Sequence, residues 1–340
     1  MKKRQSDQVV DIGAKTISDA HHFSHEAMAT VYELYIVDED EDYARAGAQA
    51  AFAEVDKLEL EMSRFLSNSD ISRLNAAEVG ETVDLGLDTF ECLRRAREMH
   101  EKTGGAFDIS VGALYACWLD EDRRLRQPSE DEIEQAHELT GMNHLEIDDE
   151  DFCAKVLTKG VQFDLGGIGK GFAAEKVAEL LSEWSLEQSL VLAGASSVLC
   201  VGVPEGMSGW PMKLRNPGKR TEVFARFDLK EGAVSGSGRQ KGQHIIDPRS
   251  KDAGPVEGRL AAWAIAPDAI AADASSTAFM MLSDEEISDY CLANEETAAI
   301  ILPHVGSDNS SGQSVKSYGQ WEGAGSVSYT HLTLPTKRIV

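Results

Sequence analysis

From Ala29 to Val37 the run ATVYELYIV sets Val31, Glu33 and Tyr35 against Tyr32, Leu34 and Ile36, and this alternation of β-branched and aromatic side chains predicts a strand. Acids at 38 to 42 turn the chain. Ala51, Val55, Leu58 and Met62 then recur at spacings of three and four, which predicts a helix from about Tyr43 to Phe65 with one apolar stripe inward. A second helix is expected over Asp88 to Lys102, stopped by Gly104-Gly105. Ser129 with Glu132 three residues on is a capping-box pattern that opens a short helix over 130–140, closed by Gly141. HLEID, AKVLT and VQFDL read as short strands. DLGGIGKGFAAEKVAELL reads as a strand end, a glycine turn and a helix that turns Ala173, Val177, Leu180 and Leu181 to the core. SLVLAGASSVLCVG is a buried strand or strand pair, and MKLRNP, VFARFDL, AVSGSG, AAWAIAP and AAIILP give five more strands, with a helix at about Ala271 to Leu282. Such a mixture predicts an α+β fold rather than repeated βαβ units.

Residues 1–24 are polar and aperiodic and read as a loose lead-in, so one folded domain is expected over 25–305. The stretch 306–340 is Gly/Ser-rich and linker-like, and its last 14 residues, VSYTHLTLPTKRIV, end basic, unlike the body, and read as a foreign stretch. No repeat period is visible. Of 340 residues 42% are apolar and 27% charged, a globular balance. The net charge of −25 argues against nucleic acid or an anionic membrane surface as the main partner, so an anionic ligand requires local cations. The five cysteines form no C-x-x-C pair for zinc or redox exchange and read as buried thiols. No transmembrane segment is expected, and no apolar h-region follows the charged start, so the sequence as given reads as cytoplasmic; a signal segment missing from the N-terminus would make it periplasmic or membrane-anchored.

Three places carry candidate chemistry. The cluster Gly166-Gly167-Ile168-Gly169-Lys170-Gly171 fails as a P-loop, because Asp164 and Gly171 stand where glycine and Ser/Thr belong. Gly169 to Ala174 fits G-x-G-x-x-A, but the next strand ends without the ribose-binding acid. The glycines can simply permit a tight strand-to-helix turn; a helix N-terminus beside Lys170 is also a phosphate seat. Asp273 and Thr277 lie at i and i+4 of the expected helix, and such a carboxylate and hydroxyl suit a hard cation such as Mg²⁺. The plainer alternative makes Asp273 an N-cap and lets Thr277 bond back to a helix carbonyl. His244, in HIIDPRS after the Gly/Ser-rich SGSGRQKGQ, is either an imidazole on a mobile flap or a packing histidine beside the Asp247-Pro248 turn. Neither H-E-x-x-H nor G-x-S-x-G occurs, which disfavours a zinc enzyme and a serine hydrolase.

Taken in chain order, Met28-Ala29-Thr30, EMSRF, SDISRLN, TGGAFDISVGAL, DLGGIGKGFAAEKVAELL, HIIDPRS and DASST resemble the ApbE family, the FAD:protein FMN transferases, over about His25 to His304. The resemblance implies a compact α+β fold with FAD in a cleft and Mg²⁺-dependent transfer of FMN to a Ser or Thr of an acceptor protein, releasing AMP. It implies Mg²⁺ on Asp273, Thr277 and the Gly167 carbonyl, and FAD against Met28, Phe65, Ala106, Phe107, Asp108, Asp164 and Lys170. His244 is the candidate for taking the acceptor proton, which with Asp273 makes up the expected catalytic pair. The expected acceptor is a flavoprotein subunit of a redox complex. Two other readings use the same seat: an FAD pyrophosphatase that gives FMN and AMP to water, and a non-catalytic FAD-binding protein. Departures from the family's usual residues are Ala29 for glycine, Gly194-Ala195-Ser196 for Gly-Gly-Asn, Gly236-Ser237-Gly238 for Thr-Ser-Gly, and Lys251 for glycine.

Overall fold

The computed structural model describes residues 10–12, 20–120, 122, 124–217, 219–239, 245–250, 254–304, 315–320 and 328–329. Strands β2 (Ala20–Ala27) and β3 (Thr30–Val37) form a hairpin, and β3 pairs with β7 (Ser189–Ala193). β7 turns through Gly194 into β8 (Ser197–Cys200); β8 pairs with β11 (Gly232–Gly238), β11 with β12 (Arg259–Ala266), β12 with β13 (Ala298–Pro303), and β13 with β14 (Lys316–Tyr318). The result is one antiparallel sheet of eight strands in the order β14-β13-β12-β11-β8-β7-β3-β2. β9 (Trp210–Asn216) and β10 (Lys219–Leu229), flanked by β1 (Val10–Ile12) and β15 (Ser328–Tyr329), make a four-stranded sheet. β4 (Thr82–Asp84), β6 (Cys153–Val156) and β5 (Leu145–Asp148) make a third, small sheet.

The central strands are apolar on both faces because each face has a layer on it. Along β7 and β12 the side chains alternate: Leu190, Leu192, Trp263 and Ile265 pack with Trp210, Met212, Leu214 and Phe227 of the four-stranded sheet. Val191, Ala193, Ala262, Ala264 and Ala266 face the helices instead. These are α1 (Glu41–Met62), α3 (Leu87–Lys102), α6 (Gly169–Glu183) and α7 (Ala269–Ala278), with α6 packed between α1 and α7. Alanine dominates the sheet face below α7, so that helix lies close to β11 and β12. α1 opens on Asp40, whose carboxylate accepts from the N–H groups of Asp42 and Tyr43, and its stripe Ala44, Ala48, Ala51, Val55, Leu58 and Met62 is buried.

The α+β architecture and most expected elements are present, with particular differences. VQFDL is not a strand: its backbone is taken up locally, Asn75 bonding both the N–H and the carbonyl of Phe163 (2.7 and 3.0 Å) while Asp164 N–H donates to the Ile109 carbonyl (2.7 Å). Pairing begins before His25: β2 starts at Ala20, and Val10–Ile12 pairs with β9. In the tail, Lys316–Tyr318 is the edge strand of the large sheet, Val315 is buried, and Ser328–Tyr329 pairs with Ala225 and Arg226. Ser235 to Gly238, which the sequence places both in the strand AVSGSG and in the Gly/Ser-rich run before His244, belongs to β11. The expected helix over 130–140 is α5 (Glu130–Glu138), with its capping box, whereas three helices among the described residues were not apparent in the pattern: α2 (Asp70–Ala76), α4 (Gly112–Trp118) and α8 (Asp284–Ala293), the last with a second capping box, Ser283 and Glu286.

α6 and α7 approach closely at Gly171. A Cβ there would stand 2.3 Å from the Ala269 carbonyl oxygen and 3.0 Å from Asp273 Cβ, so α6 and α7 cross on bare backbone. Gly171→Ala is expected to cost about 1–3 kcal/mol by overpacking. Gly169→Ala, whose Cβ would meet nothing nearer than 3.7 Å, is expected to be neutral or slightly stabilising. Thermal unfolding of the two variants side by side checks this; equal melting temperatures would exclude a tight crossing.

Candidate functional site

Asp273 is the centre of the site. It lies mid-helix on α7, 3% exposed, and its carboxylate faces α6 and the sheet. Lys170 Nζ stands 3.0 and 3.3 Å from its two oxygens, and the Gly171 N–H donates to Oδ2 at 3.1 Å. From the sheet, the hydroxyls of Ser197 on β8 and Ser235 on β11 donate to Oδ1 at 3.3 and 3.2 Å and lie 2.8 Å from each other. A buried carboxylate requires such compensation, here an ammonium, one backbone donor and two hydroxyls. Asp273 is not the N-cap; Asp268 is, accepting from the Ala271 N–H. Thr277 does bond back to the Asp273 carbonyl (3.3 Å), and its hydroxyl is also 3.2 Å from Ser237 Oγ.

The glycine turn brings the second set of groups to this carboxylate. Lys170 is the second residue of α6 and also donates to the Gly166 carbonyl at 3.1 Å. Asp164 accepts from the Gly166 N–H (2.7 Å) and pairs with Arg64 at 3.1 Å. The Arg64 guanidinium in turn lies over the Phe65 ring, 4.8 Å from its centroid, and Phe65 is 74% exposed. Phe65 is thus a bare aromatic face beside a cation that is paired to the acid of the glycine turn, a surface on which a planar group can stack.

The segment 103–110 meets the glycine turn at Gly167. Phe107 and Ala106 are buried, and a Cβ on Gly167 would come 3.1 Å from the Phe107 ring and 3.5 Å from Thr277 Oγ1, so a side chain there would press on the Phe107 ring. Asp108 is buried, accepts from the Ser110 N–H and hydroxyl, and stands 3.2 Å from His100 Nδ1, whose pKa is raised chiefly by that bond. Met28 occupies the β2–β3 turn, where it and Ala29 both have positive φ (49° and 56°). The buried Tyr32 hydroxyl donates to the Met28 sulfur at 3.2 Å, and burial, then the Asp273 charge, push its pKa well up. Met28 is thereby linked through Tyr32 to the neighbourhood of Asp273.

Of the residues singled out in the sequence, Asp273, Thr277, Gly167, Lys170, Asp164 and Phe107 are connected by direct contacts, and Phe65, Ala106, Asp108 and Met28 sit on the segments that flank them. His244 and Lys251 lie outside the described residues. Sequence reasoning missed Ser197, Ser235 and Arg64. Ser235 and Ser237 alternate with glycines in AVSGSG, which is the signal that one strand face carries hydroxyls. Among the described residues no three His, Cys, Asp or Glu side chains gather to hold a metal ion. A cation here would rest on one carboxylate, neutral oxygens and the ligand itself. Such an all-oxygen set suits a hard, incompletely dehydrated ion such as Mg²⁺, so the residues present fit that group.

One acid behind the site titrates in an unusual range. Glu175 on α6 accepts from the Ala269 N–H at the start of α7, and burial, reinforced by Asp268 and Glu179 and opposed by that bond and by Arg95, pushes its pKa from 4.5 up to about 7. The folded state therefore holds a proton that the unfolded chain gives up near pH 4.5. Stability contributed by protonated Glu175 is complete below about pH 4.5 and is lost as pH rises to about 7. Glu175→Gln is expected to be more stable than wild type at pH 8 and to narrow that difference at pH 5. Urea unfolding at both pH values checks it, and parallel curves would refute it.

The fold and site define an α+β protein in which a buried carboxylate on α7 meets a lysine and a glycine turn at the start of α6. The model of the ApbE family matches residues 28–301, and the chain belongs to that family. It is 26% identical over 293 residues to the FAD:protein FMN transferase of Klebsiella pneumoniae, covering 80% of this chain and 81% of that one. Among solved structures, the ApbE protein of Thermotoga maritima superposes with a TM-score of 0.75 at 27% identity, covering 84% of this chain and 94% of its own. The apo flavinyl transferase ApbE of Pseudomonas stutzeri gives 0.76 at 25% identity, covering 88% and 94%. Among the described residues no helix is long and apolar enough to cross a membrane.

Proposed function

We propose that this chain is an FAD:protein FMN transferase, which moves FMN from FAD to a Ser or Thr hydroxyl of an acceptor protein and releases AMP. The observation that carries the reading is the contact between Asp273 on α7 and the Lys170 glycine turn on α6, in a chain of the ApbE family. Asp273, Thr277 and the Gly167 carbonyl would hold Mg²⁺, which when bound offsets charge on the diphosphate and favours departure of AMP. Phe65 supplies an exposed ring for stacking, Ala106, Phe107 and Asp108 wall the cleft opposite, and Met28 and Asp164 border it. Lys170 supplies a charge-assisted donor to the diphosphate, which offsets the field of an acidic protein. The acceptor oxygen forms a bond to the FMN phosphorus while the anhydride P–O bond breaks and its electron pair leaves with AMP. The hydroxyl proton passes to a base, for which His244 is the candidate. The acceptor belongs to the class of flavin-carrying redox subunits.

The test is AMP release from FAD and Mg²⁺ with and without a candidate acceptor domain, with covalent flavin read on the acceptor by in-gel fluorescence. AMP only with acceptor is expected; AMP without it would indicate hydrolysis, and none in either case would leave only binding. Asp273→Asn, which keeps the shape of the side chain, is expected to lower turnover by about a hundredfold or more while melting cooperatively. Lys170→Ala is expected to weaken FAD by about tenfold or more in a fluorescence titration at matched ionic strength. Unchanged values in both variants would remove this site assignment.

A further inference from the structure

Lys170 and a divalent cation compete for the same carboxylate. Each oxygen of Asp273 already receives Lys170 Nζ; Oδ2 also receives the Gly171 N–H, and Oδ1 the two serine hydroxyls. A carboxylate offers about four acceptor positions, so these donors fill it. The donors differ in how easily they leave. Gly171 N–H is fixed in the backbone where α6 crosses α7, and Ser197 and Ser235 are anchored in the sheet with side chains buried. Lys170 stands on a flexible four-carbon stem, its side chain 19% exposed against 4% for the Asp273 side chain, and is the donor that can swing out. Displaced without another anion at hand, its ammonium keeps, among the described residues, the Gly166 carbonyl.

We infer that Lys170 is a built-in counter-cation that closes Asp273 to Mg²⁺ until the diphosphate of FAD draws the ammonium away, so that metal and FAD bind with positive coupling through this one side chain. This deepens the transferase reading and rests on it. With FAD absent, a metal ion entering must strand an ammonium. With FAD present, the ammonium has a new anionic partner and the carboxylate is released. By linkage, Mg²⁺ must strengthen FAD binding by the same factor by which FAD strengthens Mg²⁺ binding. Removal of the ammonium should tighten Mg²⁺ binding to the free protein, whereas a lysine serving only as a phosphate contact would leave it unchanged.

The experiment measures Mg²⁺ binding by calorimetry, with and without saturating FAD and no acceptor present, for wild type, Lys170→Met and Asp273→Asn. Expected is at least tenfold tighter Mg²⁺ binding to free Lys170→Met than to free wild type, a tenfold or greater gain for wild type on adding FAD, and a much smaller gain for Lys170→Met. Asp273→Asn should lose the Mg²⁺ heat in all conditions. Equal Mg²⁺ affinity of free wild type and free Lys170→Met overturns the inference, and so does a wild-type affinity indifferent to FAD, a measurement that stands even where the variant does not fold. Because flavinylation of an acceptor is scored separately, an active wild type without this coupling sinks the inference alone. Loss of acceptor labelling with intact coupling sinks the transferase reading alone.

Discussion

The buried charge at the crossing of α6 and α7 organises this site. Asp273 sits where α7 lies against both α6 and the large sheet, and everything around it supplies compensation: an ammonium, a backbone N–H and two hydroxyls. Removing one partner of a buried pair typically costs about 3–5 kcal/mol, more than most single packing contacts contribute. The glycine at 171 is therefore not only a permissive turn residue. It allows the α6 backbone to approach near enough for its own N–H to reach the carboxylate.

The layers follow from the same constraint. α7 can approach β11 and β12 because the sheet face beneath it carries Ala262, Ala264, Ala266 and Ser235 rather than large side chains. Bulk is moved to the opposite face, where Trp263 and Trp210 are fully buried between the two sheets. Gly236 shows the exchange most directly, since a Cβ on it would stand 2.7 Å from the Trp263 ring. One strand thus presents hydroxyls to the site and bare backbone to an indole.

Much of this was legible in the sequence, and for physical reasons. The stripe of α1, the capping box of α5 and the doubly apolar runs of β7, β8, β12 and β13 carry strong local signals, and the i, i+4 spacing of Asp273 and Thr277 on one helix depended only on helical period. Other features are set by partners far along the chain. VQFDL has a strand's composition, but the Asn75 side chain takes its backbone bonds from 88 residues away. β2 carries three histidines and polar alternation, and becomes a strand because β3 offers an edge. The serines that complete the Asp273 shell come from two separate strands, and their convergence has no local signature at all.

The acidic composition and the acid-paired cations of the site belong to one design. A chain of net charge −25 repels a diphosphate at long range, so attraction must be short-ranged and confined to the cleft. Arg64 and Lys170 are held there by acids, Asp164 and Asp273, rather than left free. Each pair is close to neutral toward bulk solvent yet offers a cation to a ligand that enters the cleft. The acid paired with Lys170 is the more buried, so exchanging its lysine for another cation changes the interior field most at the point where a diphosphate would lie. With Asp273 held under a movable ammonium the pair is balanced as it stands, and on the proposed coupling its field would be exposed only when ligand and ion arrive together.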